Sequence, residues 1–481
     1  MTPPRRPSPL MALTTRWLPF ADAASEGLPL GQLLRLSLFQ VSVGMATVML
    51  LGTLNRVMIV ELSVPALIVA TMIALPVLIA PFRALLGFRS DTYRSALGWK
   101  RVPYLWFGSL WQMGGLAVMP FALLVLSGQQ QVGPAWAGEV LAALAFLMTG
   151  LGLHMTQTAG LALASDRATD ATRPRVVALL YVMFLLGMAI SAIVVGWLLR
   201  DFAPLKLVRV VQGVALAGIL LNLVALWKQE KITPMSAAER TAPRPQFREA
   251  WADLMEGGRA GRLLAVVFLG TMAFNMQDVL LEPYGGEVLG LSVSATTLLT
   301  AIWAMGALAG FMLAGRMLLR GANPYRIAGT GLLTGIAAFC TVIFAAPIQS
   351  TVLFYAGAGL IGLGAGLFAV ATLTAAMAMA ADGRAGHGLA LGAWGAAQAT
   401  AAGLSIAVGG GMRDGVNHFA LSGQLGTALN TNATGYSAVY HTEIALLFLT
   451  LIVLGPLVRL SPHGSKSRSG GGRIGLADFP T

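Results

Sequence analysis

Long apolar stretches alternate with short polar ones along almost the whole chain. Twelve apolar stretches stand at about 33–58, 64–86, 103–127, 137–163, 176–199, 207–227, 262–282, 293–315, 326–346, 351–380, 388–411 and 439–459. Each has roughly the 18–25 residues that carry a helix across a ~30 Å hydrocarbon core. They are too long and too evenly apolar for barrel strands, which alternate over about ten residues. A helix also satisfies its own backbone groups inside lipid. The pattern therefore predicts an all-α membrane protein with twelve transmembrane helices. The polar stretch 228–261 splits them into two six-helix bundles, 33–227 and 262–459. A polar segment, 1–32, precedes the first bundle, and a Gly/Ser-rich tail, 460–481, follows the second.

Composition narrows the class. Of 481 residues, 56% are hydrophobic and 11% charged, against about 25% charged in a soluble domain. A soluble enzyme, a disordered chain and a coiled coil are excluded. The 57 glycines suit close-packed membrane helices. A single cysteine, Cys340, excludes a disulfide framework and a cysteine-based zinc site. The basic N-terminus lacks an apolar core and a small-residue cleavage site, so the first apolar segment is expected to be retained. No phosphate-binding G-x-x-x-x-G-K-[ST] or H-E-x-x-H motif occurs. The glycine run 357–366 lies inside an apolar segment and reads as helix packing.

The net charge of +12 resolves into topology. With twelve spans both termini share one side. The loops on that side hold 27 Lys and Arg, and those on the other hold 5. The positive-inside rule then places both termini in the cytoplasm. Nucleic acid is not an expected partner.

The halves carry an internal repeat. Gly87-Phe-Arg-Ser-Asp91 and Gly98-Trp-Lys100-Arg101 follow the second apolar stretch. Gly310-Phe-Met-Leu-Ala314 and Gly321 follow the eighth, at an offset of 223. The first copy resembles the cytoplasmic loop of the major facilitator superfamily, a G-x-x-x-D pattern followed by G-x-[KR]-[KR]. The second lacks the acid, having Ala314. The resemblance implies a conformational latch made of Gly87, Asp91, Arg94, Gly98, Lys100 and Arg101. The plainer reading is a basic loop with one stray acid. At an offset of 222, Arg56 of the first helix matches Asp278 of the seventh. They are a candidate gate pair, since a charge at membrane depth usually has a partner. The alternative is that each reaches solvent at its helix end. Glu61 and Glu282 lie further out and read as interfacial.

His154 stands well inside the fourth apolar stretch, with Gln157 one turn on. A neutral imidazole there is a candidate axial ligand for a metal-centred macrocycle. An interhelical hydrogen bond is the plainer role. Tyr104, Trp106, Phe107 and Trp111 crowd the third stretch, either as an interfacial belt or as a pigment-contacting surface. Asp166, Arg173 and Arg175 form a candidate second charge cluster, with Asp382 and Arg384 in the matching place of the second half. No metal cluster is expected. The central thirds of the helices hold almost no carboxylates. That argues against proton-driven transport of a polar solute and for a hydrophobic cargo.

Residues 33–66, 82–124, 173–192 and 389–410 carry a closer resemblance, for example FRALLGFRSDTYRSALGWKRVPYLWFGSLWQMGG and LALGAWGAAQATAAGLSIAVGG. They are similar to the PucC/LhaA family, the bacteriochlorophyll-delivery branch of the major facilitator superfamily. The likeness spans about 30–460. It implies a non-enzymatic assembly factor for the light-harvesting antennae LH1 or LH2, in the inner or intracytoplasmic membrane of a phototrophic bacterium. It implies bacteriochlorophyll as bound pigment, with carotenoid as a second. His154, Gln157, Trp106 and Trp111 are then the candidate pigment contacts. The implied partners are antenna polypeptides, the reaction centre, bacteriochlorophyll synthase and membrane lipid. Two other functions stay open on the sequence: an alternating-access transporter of a hydrophobic small molecule, and a pigment-free assembly scaffold.

Overall fold

The computed structural model describes residues 28–54, 58, 72, 75–77, 79–93, 95, 97–126, 134, 136–169, 172–199, 203–230, 246–291, 293–382 and 386–460. The described residues contain eleven helices long and apolar enough to cross a membrane. In the first half, α1 (Leu30–Val48) runs into a π-helical turn (Met49–Leu54), and α2 (Arg83–Thr92) follows a 3-10 turn (Ala80–Phe82). Then come α3 (Val102–Leu126), α4 (Ala137–Arg167), α5 (Arg173–Leu198) and α6 (Pro204–Leu226). The expected span at 64–86 lies mostly outside the described residues; α2 contains its end.

The polar stretch between the halves contains a helix that its composition did not announce, α7 (Phe247–Met255). The second half has α8 (Arg259–Asn275), a 3-10 turn (Met276–Val279) and the short α9 (Leu281–Glu287). It continues with α10 (Val293–Leu319), α11 (Pro324–Ile348), α12 (Thr351–Asp382), α13 (His387–Leu421) and α14 (Ala433–Leu460). Two spans differ from expectation. The seventh was expected as one helix to 282 and instead breaks at 276. The eleventh runs ten residues past 411.

The repeat is conformational as well as sequential. Gly98 and Gly321, 223 residues apart, have φ of +80° and +79°, values an L side chain avoids. The helix pairs α1–α5, α1–α6, α3–α4 and α3–α6 pack in the first half. Their counterparts α8–α13, α8–α14, α11–α12 and α11–α14 pack in the second. The first helix of each half also leaves α geometry towards its far end, at 49–54 and at 276–279.

Glycine sets how closely these pairs approach. A Cβ on Gly115 or Gly152 would strike the backbone across the α3–α4 seam, at Thr149 N and Gly108 O respectively, each 2.6 Å away. Without a hydrophobic drive between helices in lipid, such close packing does the holding. The halves meet through α2–α13, α4–α13, α5–α10 and α5–α12. In α5 the residues Val176–Leu180 are buried, whereas Leu186, Ile190, Ile193, Val194 and Trp197 are exposed. In α13 Gly388–Gly395 are buried, whereas Leu404, Ile406 and Phe419 are exposed. The halves thus press together at the end that carries Asp91, called here the latch face, and the far parts of α5 and α13 carry exposed apolar side chains.

Gly152→Leu should lower the thermal melting point of the purified protein, because overpacking costs about 1–3 kcal/mol. Gly213→Ala, with open space around it, should leave the melting point unchanged or slightly raised. Equal losses in both variants would contradict the packing argument.

Candidate functional site at the junction of the halves

The latch residues lie where α2 meets the start of α13. Gly87 packs so tightly on Gly388 that a Cβ on either would overlap the other's backbone. This brings Asp91 up to the first turn of α13. Its Oδ1 accepts from the Gly388 amide at 2.9 Å, and its Oδ2 from the Leu389 amide at 2.7 Å. Gly386, the N-cap of α13, has no side chain to cap its own helix. An acid of the other half does so instead, where the helix dipole favours negative charge.

Arg101 ties the acid down. It is 3% exposed, pairs with Asp91, donates to Ser90 Oγ at a formal 2.5 Å, and reaches Asp166 Oδ2 with Nε at 3.0 Å. The other Asp166 oxygen meets His387 Nδ1 at 2.8 Å. Burial pulls the Arg101 guanidinium down, but Asp166 and Asp91 outweigh it and hold it above its ordinary value. The contribution of a cation raised in this way is lost only as pH climbs through its folded value, so the latch should survive alkaline buffers.

The expected cluster around Asp166 is therefore part of the latch: Asp166 turns to Arg101 and His387. Lys100 serves through its backbone. The amides of Lys100, Arg101 and Val102 all donate to Glu230, at 3.0–3.2 Å, which caps α3. Gly98 makes the turn between. Arg94, Arg384 and Arg56 lie outside the described residues, as does the Asp382 side chain. The expected Arg56–Asp278 pair is untested for that reason. The amide of Gln277 donates to Asp278 Oδ1 at 2.6 Å.

Two buried ionisable residues escaped sequence reasoning. Arg83 was counted among loop cations, yet it is 2% exposed. It donates from Nε to Thr158 Oγ1 at 3.0 Å and from a terminal nitrogen to the Gly395 carbonyl at 3.3 Å, so it joins α2, α4 and α13. Its other terminal nitrogen has no partner. Gly395 leaves room for this guanidinium. Glu443 is the second. It is 0% exposed within α14, ten residues or about 15 Å from that helix's start. It is the exception to the expectation of almost no carboxylate at mid-helix. A single acid in an apolar helix gives no periodic signal.

His154 donates from Nε2 to the Pro76 carbonyl at 3.1 Å. A carbonyl only accepts, so Nε2 carries the proton and Nδ1 the lone pair. Gln157 shares its face of α4, three residues on. The tryptophans do not share one. Five residues turn a helix by about 140°, so Trp106 and Trp111 cannot wall one pocket together. Trp111 and Phe107 stand exposed on α3, and Tyr104 packs edge-on against Tyr93 at 5.5 Å.

The eleven described membrane-length helices, packed as two repeats about a glycine-seamed junction, have the fold of solved major facilitator transporters. The outward-facing crystal structure of a bacterial homologue of the iron transporter ferroportin superposes with a TM-score of 0.68 at 15% identity, covering 89% of this chain and 99% of that one. Residues 53–461 match the family described as PUCC protein, and the chain belongs to that family. An uncharacterized protein from the puhA-bchM intergenic region of Rhodobacter capsulatus is 66% identical, over 98% of each chain. Protein PucC of Rhodovulum sulfidophilum is 56% identical, over 83% of this chain and 89% of that one.

Asp91→Ala should loosen the latch face. With Cys340 replaced by Ser and a cysteine placed at the buried Leu391, maleimide labelling in membranes should speed up at least about tenfold. That is modest beside the ~3–5 kcal/mol cost of stranding one partner of a buried pair. Unchanged labelling would remove the latch role.

Proposed function

We propose that this membrane protein loads bacteriochlorophyll onto light-harvesting antenna polypeptides as LH1 or LH2 forms, acting as carrier and chaperone rather than as an enzyme. Membership of the PUCC family carries the reading, and relatives named Protein PucC support it. Both termini and the latch face lie in the cytoplasm, as the 27 to 5 asymmetry of Lys and Arg suggests, and the membrane is the photosynthetic one. Antenna polypeptides are the first partners, with the reaction centre and bacteriochlorophyll synthase beyond them.

The residues present suit such a cargo. A chlorin needs a broad apolar surface and at most one axial ligand. The tautomer fixed by Pro76 leaves His154 Nδ1 able to meet a pigment magnesium. Gly150, packed on Pro76, holds this part of α4 close to the second helix. Gln157 is placed to support the macrocycle beside His154, and the exposed Trp111 and Phe107 offer a flat contact for a second pigment such as carotenoid. The exposed apolar side chains on the far parts of α5 and α13 offer an apolar cargo a surface to approach.

The test is the near-infrared absorbance of gently purified protein. Bacteriochlorophyll at about one per chain is expected, and His154→Leu should reduce it at unchanged protein yield. Pigment-free protein that still retains antenna polypeptides would overturn the carrier role in favour of a scaffold. Absence of both, with uptake of an apolar solute into proteoliposomes, would overturn it in favour of a transporter.

A further inference from the structure

At the break in the seventh span, buried oxygen acceptors gather without donors. Glu443 of α14 is 0% exposed, and neither carboxyl oxygen has a hydrogen-bond partner. It lies beside the Gln277 backbone and within electrostatic reach of Asp278. The Gln277 side chain is 2% exposed. Its nitrogen is committed to Asp278 Oδ1 at 2.6 Å and to the Phe274 carbonyl at 3.3 Å. Those bonds fix the amide at the cluster, and its Oε1 is left without a partner. The Tyr440 hydroxyl, one turn from Glu443, is buried and also unpartnered.

The surroundings supply no compensating cation among the described residues. From α11 come Phe339 against the Tyr440 ring and the Val342 carbonyl, which accepts from Tyr284. From α9 and α14 come the phenols Tyr284 and Tyr436, edge-on to one another at 5.3 Å. From α13 comes Arg413, and it is already engaged. It donates to Asp414 at 2.8 Å, to Glu287 at a formal 2.5 Å and to the Tyr436 hydroxyl at 2.9 Å. Tyr436 is seven residues, or about 10 Å of helix, from Glu443.

Glu443 is buried with no donor and no cation, where a carboxylate carries charge only at large cost, and the nearby Asp278 raises that cost. One proton answers every deficit at once. It removes one charge, and it turns one carboxyl into the donor that Gln277 Oε1 or the other acid lacks. We propose that Glu443 and Asp278, with Gln277 between them, hold one shared proton, so that the second half carries a proton-binding site at the break of its first helix. Gly409 fits the assembly, because it lets α13 approach the carbonyl of Met276, in the broken turn, to 2.6 Å from where a Cβ would stand. Asp278 is exposed and Glu443 buried, so the two ends of the site differ in their surroundings. Breaks in membrane helices serve transporters as ion sites in the same physical way.

Infrared difference spectroscopy of the full-length protein in lipid nanodiscs reads this directly. At neutral pH the native protein should show the carbonyl stretch of a protonated carboxylic acid in apolar surroundings. Glu443→Gln should remove that band, and Asp278→Asn should shift it, because the proton loses one of its two sites. If Glu443→Gln does not fold, heavy-carbon labelling of glutamate carboxyls in the native chain should move the same band. A band indifferent to both glutamate probes would overturn the site, and one indifferent to Asp278→Asn would overturn the sharing. Loss of the band on adding sodium or calcium would show a metal ion in the proton's place and equally overturn it.

Discussion

The carboxylate of Asp91 caps a helix that belongs to the other half of the molecule. The start of α13 needs an acceptor for its first amides, and Gly386 offers none. Asp91 takes the Gly388 and Leu389 amides together. That single constraint dictates much around it. Gly87 and Gly388 are glycines because the acid cannot arrive unless their backbones touch. Arg101 must be buried to hold the acid, and Asp166 must balance Arg101. Asp166 then engages His387, the first residue of α13. The circuit closes on the helix where it began.

A joint of this kind suits switching better than permanent cohesion. Its strength lies in a few charge-assisted bonds and close backbone contacts, while the cross-half surfaces beyond it are exposed. Arg83 adds to the asymmetry. Buried at the junction with one nitrogen unpartnered, it is stable only while Thr158 and Gly395 surround it. Parting the latch face would uncover it. A short helix stiffens the same region from outside: Phe247 of α7 packs edge-on against Phe88 of α2 at 5.4 Å and stacks on Trp251. The segment between the halves therefore braces the joint as well as connecting them.

The all-helical membrane fold and the glycine and acid positions that meet at the junction were legible because each rests on a repeated or dense signal. Apolar runs recur twelve times, and the glycine spacing recurs at a fixed offset. What escaped depends on single residues seen from across the fold. Arg83 looks like any basic residue near a helix end until α4 and α13 enclose it. Glu230 sits in a polar stretch, and only the return of the chain to α3 shows it capping three amides. His387 and Asp166 are 221 residues apart. Trp106 and Trp111 are neighbours in sequence, but five residues of helix turn them about 140° apart. The break after α8 went unseen because Asn275-Met-Gln-Asp278 contains neither glycine nor proline.

The junction depends on the capping of α13 by Asp91, and amide hydrogen exchange in nanodiscs measures that contact itself. The Gly388 and Leu389 amides should exchange slowly in the native protein. In Asp91→Ala they should exchange much faster, while the interior of α12 stays protected. Equal exchange at the start of α13 in both proteins would contradict the account.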